Sequence, residues 1–258
     1  MAYYVPVEEV PSLKGKVSDE EWELRCELAA VYRLVNRFGW DDGIFTHSSV
    51  RLPGRDHHFL INPYGHLFSE VCASNLVKID VDGNVLDDSP YTVIRAGFVI
   101  HSAIHMARGD AMCVVHTHTN AGMAVSTQKE GLLPLNQKSM GFYNRLAYHD
   151  YEGIANDTEE RERLVRDLGN HHSMILRNHG LLATGRSIAE AFQHIRYLQH
   201  SCELQIMSQS TGAELIIPPA EVCEHTAQQF EGDGTPRGAE TFAAYMRMLD
   251  REEPDYKH

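Results

Sequence analysis

The chain has 258 residues, with 23 Lys plus Arg against 36 Asp plus Glu, a formal net charge of −13 at pH 7. That length suits one large α/β domain or two small ones, and the acidic balance argues against nucleic acid or an anionic membrane surface as a partner. The five scattered cysteines include no C-x-x-C pair, so neither a thiolate zinc site nor a disulfide framework is indicated, and an acidic, proline-bearing start with no 18-residue apolar run points to a cytoplasmic protein.

Ser18 is a good N-cap followed by acidic residues, and apolar positions then recur at helical spacing up to Gly39, which predicts an amphipathic helix. Residues 43–68 mix β-formers with Pro-Gly and Pro-Tyr-Gly turns, as in short antiparallel strands. NLVKIDVDGNVLD, residues 75–87, alternates apolar and polar residues up to Asp-Gly-Asn and reads as a hairpin. A helix over 96–110, with Gly109 as its C-cap, leads into the strand AMCVVHTHT at 111–119. Loop and short strand fill 131–153, and a helix covers 157–170. SMILRNHGLLATG, 173–185, is a buried strand turning at Asn-His-Gly, and a long helix spans 187–212. A core of about 18–212 is then followed by a polar tail, 213–258. No linker, repeat or low-complexity tract divides the chain, so one domain over 1–258 is expected, with helices flanking a mainly antiparallel sheet.

Of the 16 histidines, His116 and His118 stand two apart in the strand 111–119, where alternate side chains share a face. The β-branched neighbours Val114, Val115, Thr117 and Thr119 favour that strand over a helix, which would splay the pair. One metal ion with ligand bonds of about 2 Å can bridge such a pair; the competing reading is two polar residues on the wet face of an edge strand. His179 follows an apolar strand and is fixed at a turn by Gly180. Three strand-end histidines around one ion leave a coordination position open, the catalytic rather than the structural pattern.

With these residues the chain resembles the class II aldolase/adducin family, whose metal site uses an H-x-H pair at a strand end and a third histidine further on; His116, His118 and His179 match it. The resemblance runs from Ser18 to about Gly212 and includes NPYGHLF, VDGNV and GDAMCVVHTHT. It implies a three-layer α/β/α sandwich around a mainly antiparallel sheet, and a divalent metal, Zn first, with Fe, Mn or Co as alternatives. It also implies a homotetramer with active sites at subunit interfaces. The helix at 187–212 supports the oligomer by offering more apolar surface than one sheet face covers. The sugar-phosphate aldolases of the family carry a catalytic glutamate preceded by phosphate-holding serines. A gap-free alignment places Arg95, Ala96 and Gly97 at those positions. The chain thus looks like the adducin-type branch, whose animal members serve the membrane skeleton, and its bacterial relatives.

Several residues are candidates for substrate contact. Arg95 could grip a carboxylate near the metal, and Arg177, two residues before His179, shares that histidine's face of the strand; a surface ion pair is the rival reading for both. His101 and His105 lie one helical turn apart without the glutamate of an H-E-x-x-H motif, so they read as a helix face packed on the sheet, with His101 lining the pocket. His47 stands where the aldolases have an asparagine in a phosphate loop, and is either a substrate contact or a solvated surface residue. Asn62 either hydrogen-bonds substrate or begins the Asn-Pro turn. The proton donors to consider are Tyr143, Tyr148 and Tyr151, with Glu152 or Asp150 if desolvation raises the carboxyl pKa.

These readings point to a metal-dependent lyase of the aldolase or decarboxylase type, acting on a small hydroxy- or keto-acid through an enolate stabilised by a His₃-bound divalent metal. Without the glutamate, decarboxylation is attractive, because it needs an electron sink but no initiating base. The first alternative is a non-heme iron oxygenase on the same three histidines. The second is a non-catalytic, adducin-like interaction module.

Overall fold

Ser18 caps the first helix as its sequence predicts: its hydroxyl accepts from the Glu21 N–H at 3.1 Å, and α1 (Asp19–Arg37) runs until Gly39 turns the chain at φ +67°. The computed structural model describes residues 5–54, 57–153 and 160–258, with all of their side chains except those of Arg95 and Ala96. After α1 come β1 (His47–Arg51), β2 (Phe59–Ile61), β3 (Val77–Ile79), α2 (Arg95–Ala107) and β4 (Cys113–Thr117). Next are α3 (Asn120–Ser126), α4 (Gln137–Met140), β5 (Leu146–His149), α5 (Glu160–Leu168), β6 (Ser173–Leu176) and β7 (Gly180–Gly185). The chain ends with α6 (Ile188–Ser210), α7 (Ala220–Glu231) and α8 (Ala239–Glu252).

The strands form one sheet in the order β3-β2-β1-β4-β7-β6-β5. It is mixed: β5 and β6 run parallel while the other neighbours are antiparallel. The expectation of a mainly antiparallel sheet has no place for that parallel pair, which arises because α5 returns the chain between β5 and β6, as a parallel pair requires. Residues 75–87 close only partly as a hairpin, with β3 continued by a single bridge between Ile79 and Val85.

Alternation along the strands sends apolar side chains to both faces. Cys113 and Val115 of β4, with Leu181 and Ala183 of β7, join a core formed with α1, α6 and α8. Val114 and Leu182 face the other way, against Ile100 and Ile104 of α2 and Leu164 and Leu168 of α5. The apolar side of α6 is thus used inside the chain, where Phe192, Ile195 and Leu198 are fully buried with Phe242 of α8, so this helix no longer argues for an oligomer. The polar tail is also not a tail. It folds into α7 and α8 and returns to the start of the fold, where Tyr256 is fully buried and its carbonyl accepts from the Ala73 N–H at 2.9 Å. Phe242, Leu249 and Tyr256 enter the core, and Tyr245, Met246 and Met248 pack against it.

Candidate metal centre

β4 delivers His116 at its penultimate residue, and His118 follows just beyond the strand, where Thr119 caps α3 by accepting from the Gly122 N–H at 3.1 Å. Asn178, at φ +56°, makes the turn between β6 and β7 that brings His179 back to them. The Nε2 atoms of His116 and His118 stand 2.8 Å apart, and those of His118 and His179 2.9 Å apart. Among the described residues this is the group of three whose donor atoms all lie within 4.8 Å of one another. His116 is buried and the other two are half-buried, so the cluster has a closed floor and an open side.

The donor set fits a divalent cation. His116 Nδ1 lies 2.9 Å from the Leu181 carbonyl oxygen and His118 Nδ1 lies 3.0 Å from Asp42 Oδ2. Both partners are acceptors, so each neutral ring carries its hydrogen on Nδ1 and none on Nε2. With its hydrogen on Nδ1, each ring turns an Nε2 lone pair toward the other across 2.8 Å, an arrangement that suits a shared cation. Burial, with the other imidazoles of the cluster, holds His116 well below the ordinary histidine range and His179 down to about 4. Neutral imidazoles at physiological pH are what metal ligation requires. Asp42 was not visible as a partner in the sequence: it lies 76 residues before His118, in a loop whose only signal is an acidic pair before a glycine.

The other predicted residues have varied fates. His47 is 2 % exposed and lies beside the triad, its ring centroid 5.1 Å from that of His116, its partner across β1 and β4; it is neither solvated nor on a loop. His101 is fully buried and touches His47 rather than lining an opening. Arg177 turns away from the centre: it donates to the Gln128 carbonyl at 2.6 Å and lies over the Tyr148 ring at 4.3 Å. The left-handed Asn178 breaks the strand period between Arg177 and His179, so the shared face predicted for them does not exist. Asn62 is structural, because its side-chain oxygen accepts from the buried Tyr32 hydroxyl at 2.9 Å. Arg95 begins α2, and its side chain lies outside the described residues.

Among the proton-donor candidates, Glu152 is corrected: hydrogen bonds from two nitrogens of Arg163 hold its carboxyl below the usual range, the opposite of a desolvated acid. Tyr148 pairs with Ile175 of the α1–α6 face, away from His116, and its hydroxyl accepts from the Leu132 N–H at 3.0 Å. Tyr143 sits in the turn after α4, where its N–H donates to the Met140 carbonyl and its own carbonyl accepts from Arg145. Tyr151 does stand at the open side, its ring centroid 6.4 Å from that of His179 and 53 % exposed. A cleft of about 1010 Å³ opens far from all of this, around Ser173 and Arg186 at the other end of β6 and β7. Two of its arginines are neutralised, Arg145 by Glu224 and Glu231, and Arg186 by Glu190, so we place the chemistry at the histidines rather than in the larger space.

The model of the class II aldolase and adducin N-terminal domain family matches residues 26–206. The chain belongs to that family. A class 2 aldolase-like protein of Caulobacter vibrioides is 51% identical over 246 residues, covering 95% of this chain and 96% of the relative. Alpha-adducin of Rattus norvegicus is 42% identical over 242 residues, covering 88% of this chain but only 33% of the adducin. An aldolase II superfamily protein from Pseudomonas syringae superposes with a TM-score of 0.90 at 50% identity, over 96% of this chain and 100% of that one. An L-fuculose 1-phosphate aldolase from Glaciozyma antarctica does so with a TM-score of 0.82 at 25% identity, over 100% of this chain and 96% of that one. The fold of this family member is therefore an α/β fold of the class II aldolase type. Among the described residues no helix is long and apolar enough to cross a membrane.

Proposed function

We propose that this family member is a metal-dependent carbon–carbon lyase, of the aldolase or decarboxylase kind, acting on a small hydroxy- or keto-acid. The observation that carries the reading is the convergence of three Nε2 atoms with an open side, two of them oriented by acceptors on Nδ1. A bound divalent cation, Zn²⁺ first, supplies Lewis acidity toward a substrate oxygen next to the breaking bond. His116, His118 and His179 hold it, and Asp42 and the Leu181 carbonyl keep His118 and His116 in the right tautomer. Tyr151, beside His179, is the donor we assign to the carbon left behind. Gly97 provides no acid or base where the aldolases carry glutamate, and this favours decarboxylation.

The test is to load the protein with Zn²⁺, Mn²⁺ or, anaerobically, Fe²⁺, and to screen small hydroxy- and keto-acids for release of carbon dioxide or an aldehyde. We expect metal-dependent turnover that is lost, together with the metal, in His116→Ala. Oxygen uptake with Fe²⁺ alone would move the assignment to an oxygenase, and turnover of sugar phosphates but no acids would refute the substrate class. We further propose a homotetramer in the cytoplasm; light scattering at about the 29.1 kDa of one chain would refute the assembly.

The likeness to alpha-adducin favours a second reading, a module that binds a protein partner without catalysis. Partner binding undiminished by replacing all three histidines with alanine, in protein without lyase activity, would establish it in place of the first.

A further inference from the structure

Beside the triad lies an unbroken chain of buried hydrogen bonds that the lyase reading leaves unused. His105 Nδ1 is 3.0 Å from the Ala111 carbonyl oxygen, and His105 Nε2 is 2.7 Å from Ser49 Oγ. Ser49 Oγ is 2.5 Å from His101 Nδ1, and His101 Nε2 is 2.8 Å from His47 Nδ1. The four side chains are 2 % exposed or less. They come from two elements: His47 and Ser49 point to one face of β1, and His101 and His105 are one turn apart on α2.

This chain has a fixed direction. A carbonyl only accepts, so His105 carries its hydrogen on Nδ1, and its Nε2 must accept from the Ser49 hydroxyl. The hydroxyl oxygen in turn accepts from His101 Nδ1–H. His101 Nε2 then accepts from His47 Nδ1–H, and His47 Nε2 is left bare. Burial holds His101 well below the ordinary histidine range and His105 down to about 3, so each of these rings has one hydrogen to give along the chain.

The ring that carries the bare nitrogen lies beside the triad, its centroid 5.1 Å from that of His116. His47 pairs with His116 in the β1–β4 register. Its hydrogen-bonded neighbour is His101 on Nδ1, and among the described residues Nε2 has none. A Cβ on Gly97 would sit 2.7 Å from His47 Cδ2, the atom bonded to Nε2, so the ring fills the space beside the position where the aldolases carry glutamate.

We propose that the His105–Ser49–His101 relay is a positioning device: it locks His47 as the Nδ1–H tautomer and presents Nε2 as an acceptor-only contact for a substrate hydroxyl. The inference rests on the metal-centre reading and narrows it to hydroxy-acids. A hydroxyl donates to Nε2, whereas the carbonyl of a keto-acid brings a second lone pair against it. Ser49, His101 and His105 act through His47 and are positioning residues.

Two measurements on the full chain test this. Neutron diffraction from deuterium-exchanged wild-type crystals should place deuterons on Nδ1 of His105, His101 and His47 and none on His47 Nε2. A deuteron on His47 Nε2 overturns the proposal. Calorimetry on the Zn²⁺-loaded protein should show lactate binding about tenfold more tightly than pyruvate, the size of one charge-assisted or well-buried hydrogen bond. Ser49→Ala, which removes the middle link and no metal ligand, should bring that ratio close to one at unchanged zinc content, and Ser49→Thr should preserve it. Equal binding of the two acids by the wild type, or an unchanged ratio in Ser49→Ala, overturns the proposal. Failure of the wild type to bind Zn²⁺ would instead remove the metal-centre reading. The neutron map still decides the relay in that case, or if Ser49→Ala does not fold.

Discussion

Removing the carboxylate of Asp42 separates the orientation of His118 from its ligation. Asp42 Oδ2 lies 3.0 Å from His118 Nδ1, and its side chain keeps 51 % of its exposure. Replacing a partner of a ligating histidine costs about 10- to 100-fold in metal affinity. Solvent screening of a half-exposed carboxylate places this case at the lower end. Asp42→Ala removes charge and acceptor together, and we expect Zn²⁺ binding to weaken about tenfold, close to 1.4 kcal/mol. Asp42→Asn keeps an acceptor oxygen for Nδ1–H and loses only the charge, so a loss of about threefold is expected. The assay is competition for Zn²⁺ against a chromogenic chelator at neutral pH, with unfolding of the metal-free proteins as the control. Wild-type affinity in Asp42→Ala would refute the orienting role, and a loss as large as that of His118→Ala would mean that Asp42 is itself a ligand.

Three further outcomes rest on the same geometry. In Gly180→Ala the new Cβ would lie 2.4 Å from the Thr117 carbonyl and 3.2 Å from His118 Cδ2. We expect about 1–3 kcal/mol of destabilisation with weaker zinc binding, read by denaturant unfolding with and without the metal; unchanged values of both would contradict the contact. Tyr256→Ala empties a fully buried aromatic site and removes the hydroxyl donated to Asp250 at 2.8 Å. It should cost about 3 kcal/mol, and a loss below about 1 kcal/mol would show that the C-terminal segment is not part of the cooperative core. Burial, followed by the charge of Arg51, holds His105 down to about 3 in the fold, against about 6.5 in the unfolded chain. The unfolded chain therefore takes up the proton first. The stability tied to His105 is whole above about pH 6.5 and falls by about 1.4 kcal/mol per pH unit as the pH drops from there toward 3. His105→Gln should flatten the measured slope by that amount, and equal slopes would disprove the linkage.

The triad was legible because each of its signals is local: a two-residue period in a β-branched strand, and a histidine–glycine pair after an apolar run. The same reasoning failed for Arg177 because the period was extended through a turn, and Asn178 at φ +56° rotates the backbone before His179. Asn62 and Glu152 failed for a different reason. Their partners, Tyr32 and Arg163, are 30 and 11 residues away and bind the Asn62 side-chain oxygen and the Glu152 carboxylate. The segment 213–258 is polar only on average: Phe242, Tyr245, Met246 and Leu249 stand at helical spacing, and Phe242, Leu249 and Tyr256 are each 4 % exposed or less. His101 and His105 were correctly seen as one helix face. Their partners on β1, however, depend on that strand lying against α2, which no local pattern specifies.

The two faces of β1 and β4 tie ligand geometry to fold stability. Val50, Cys113 and Val115 point into the core beneath α1 and α6, while His47, Ser49 and His116 point to the opposite face. A slip of one residue in either strand would send imidazoles into the apolar core and valines to the histidine cluster, so burying the aliphatic side chains fixes the register that the site needs. The carbonyl that sets the His116 tautomer belongs to Leu181, whose side chain lies in the same core and whose backbone pairs with Thr117. A cavity made at Leu181 should therefore loosen the metal as well as the fold, whereas one made at Leu34, on the far side of the same core, should lower stability and leave zinc affinity intact.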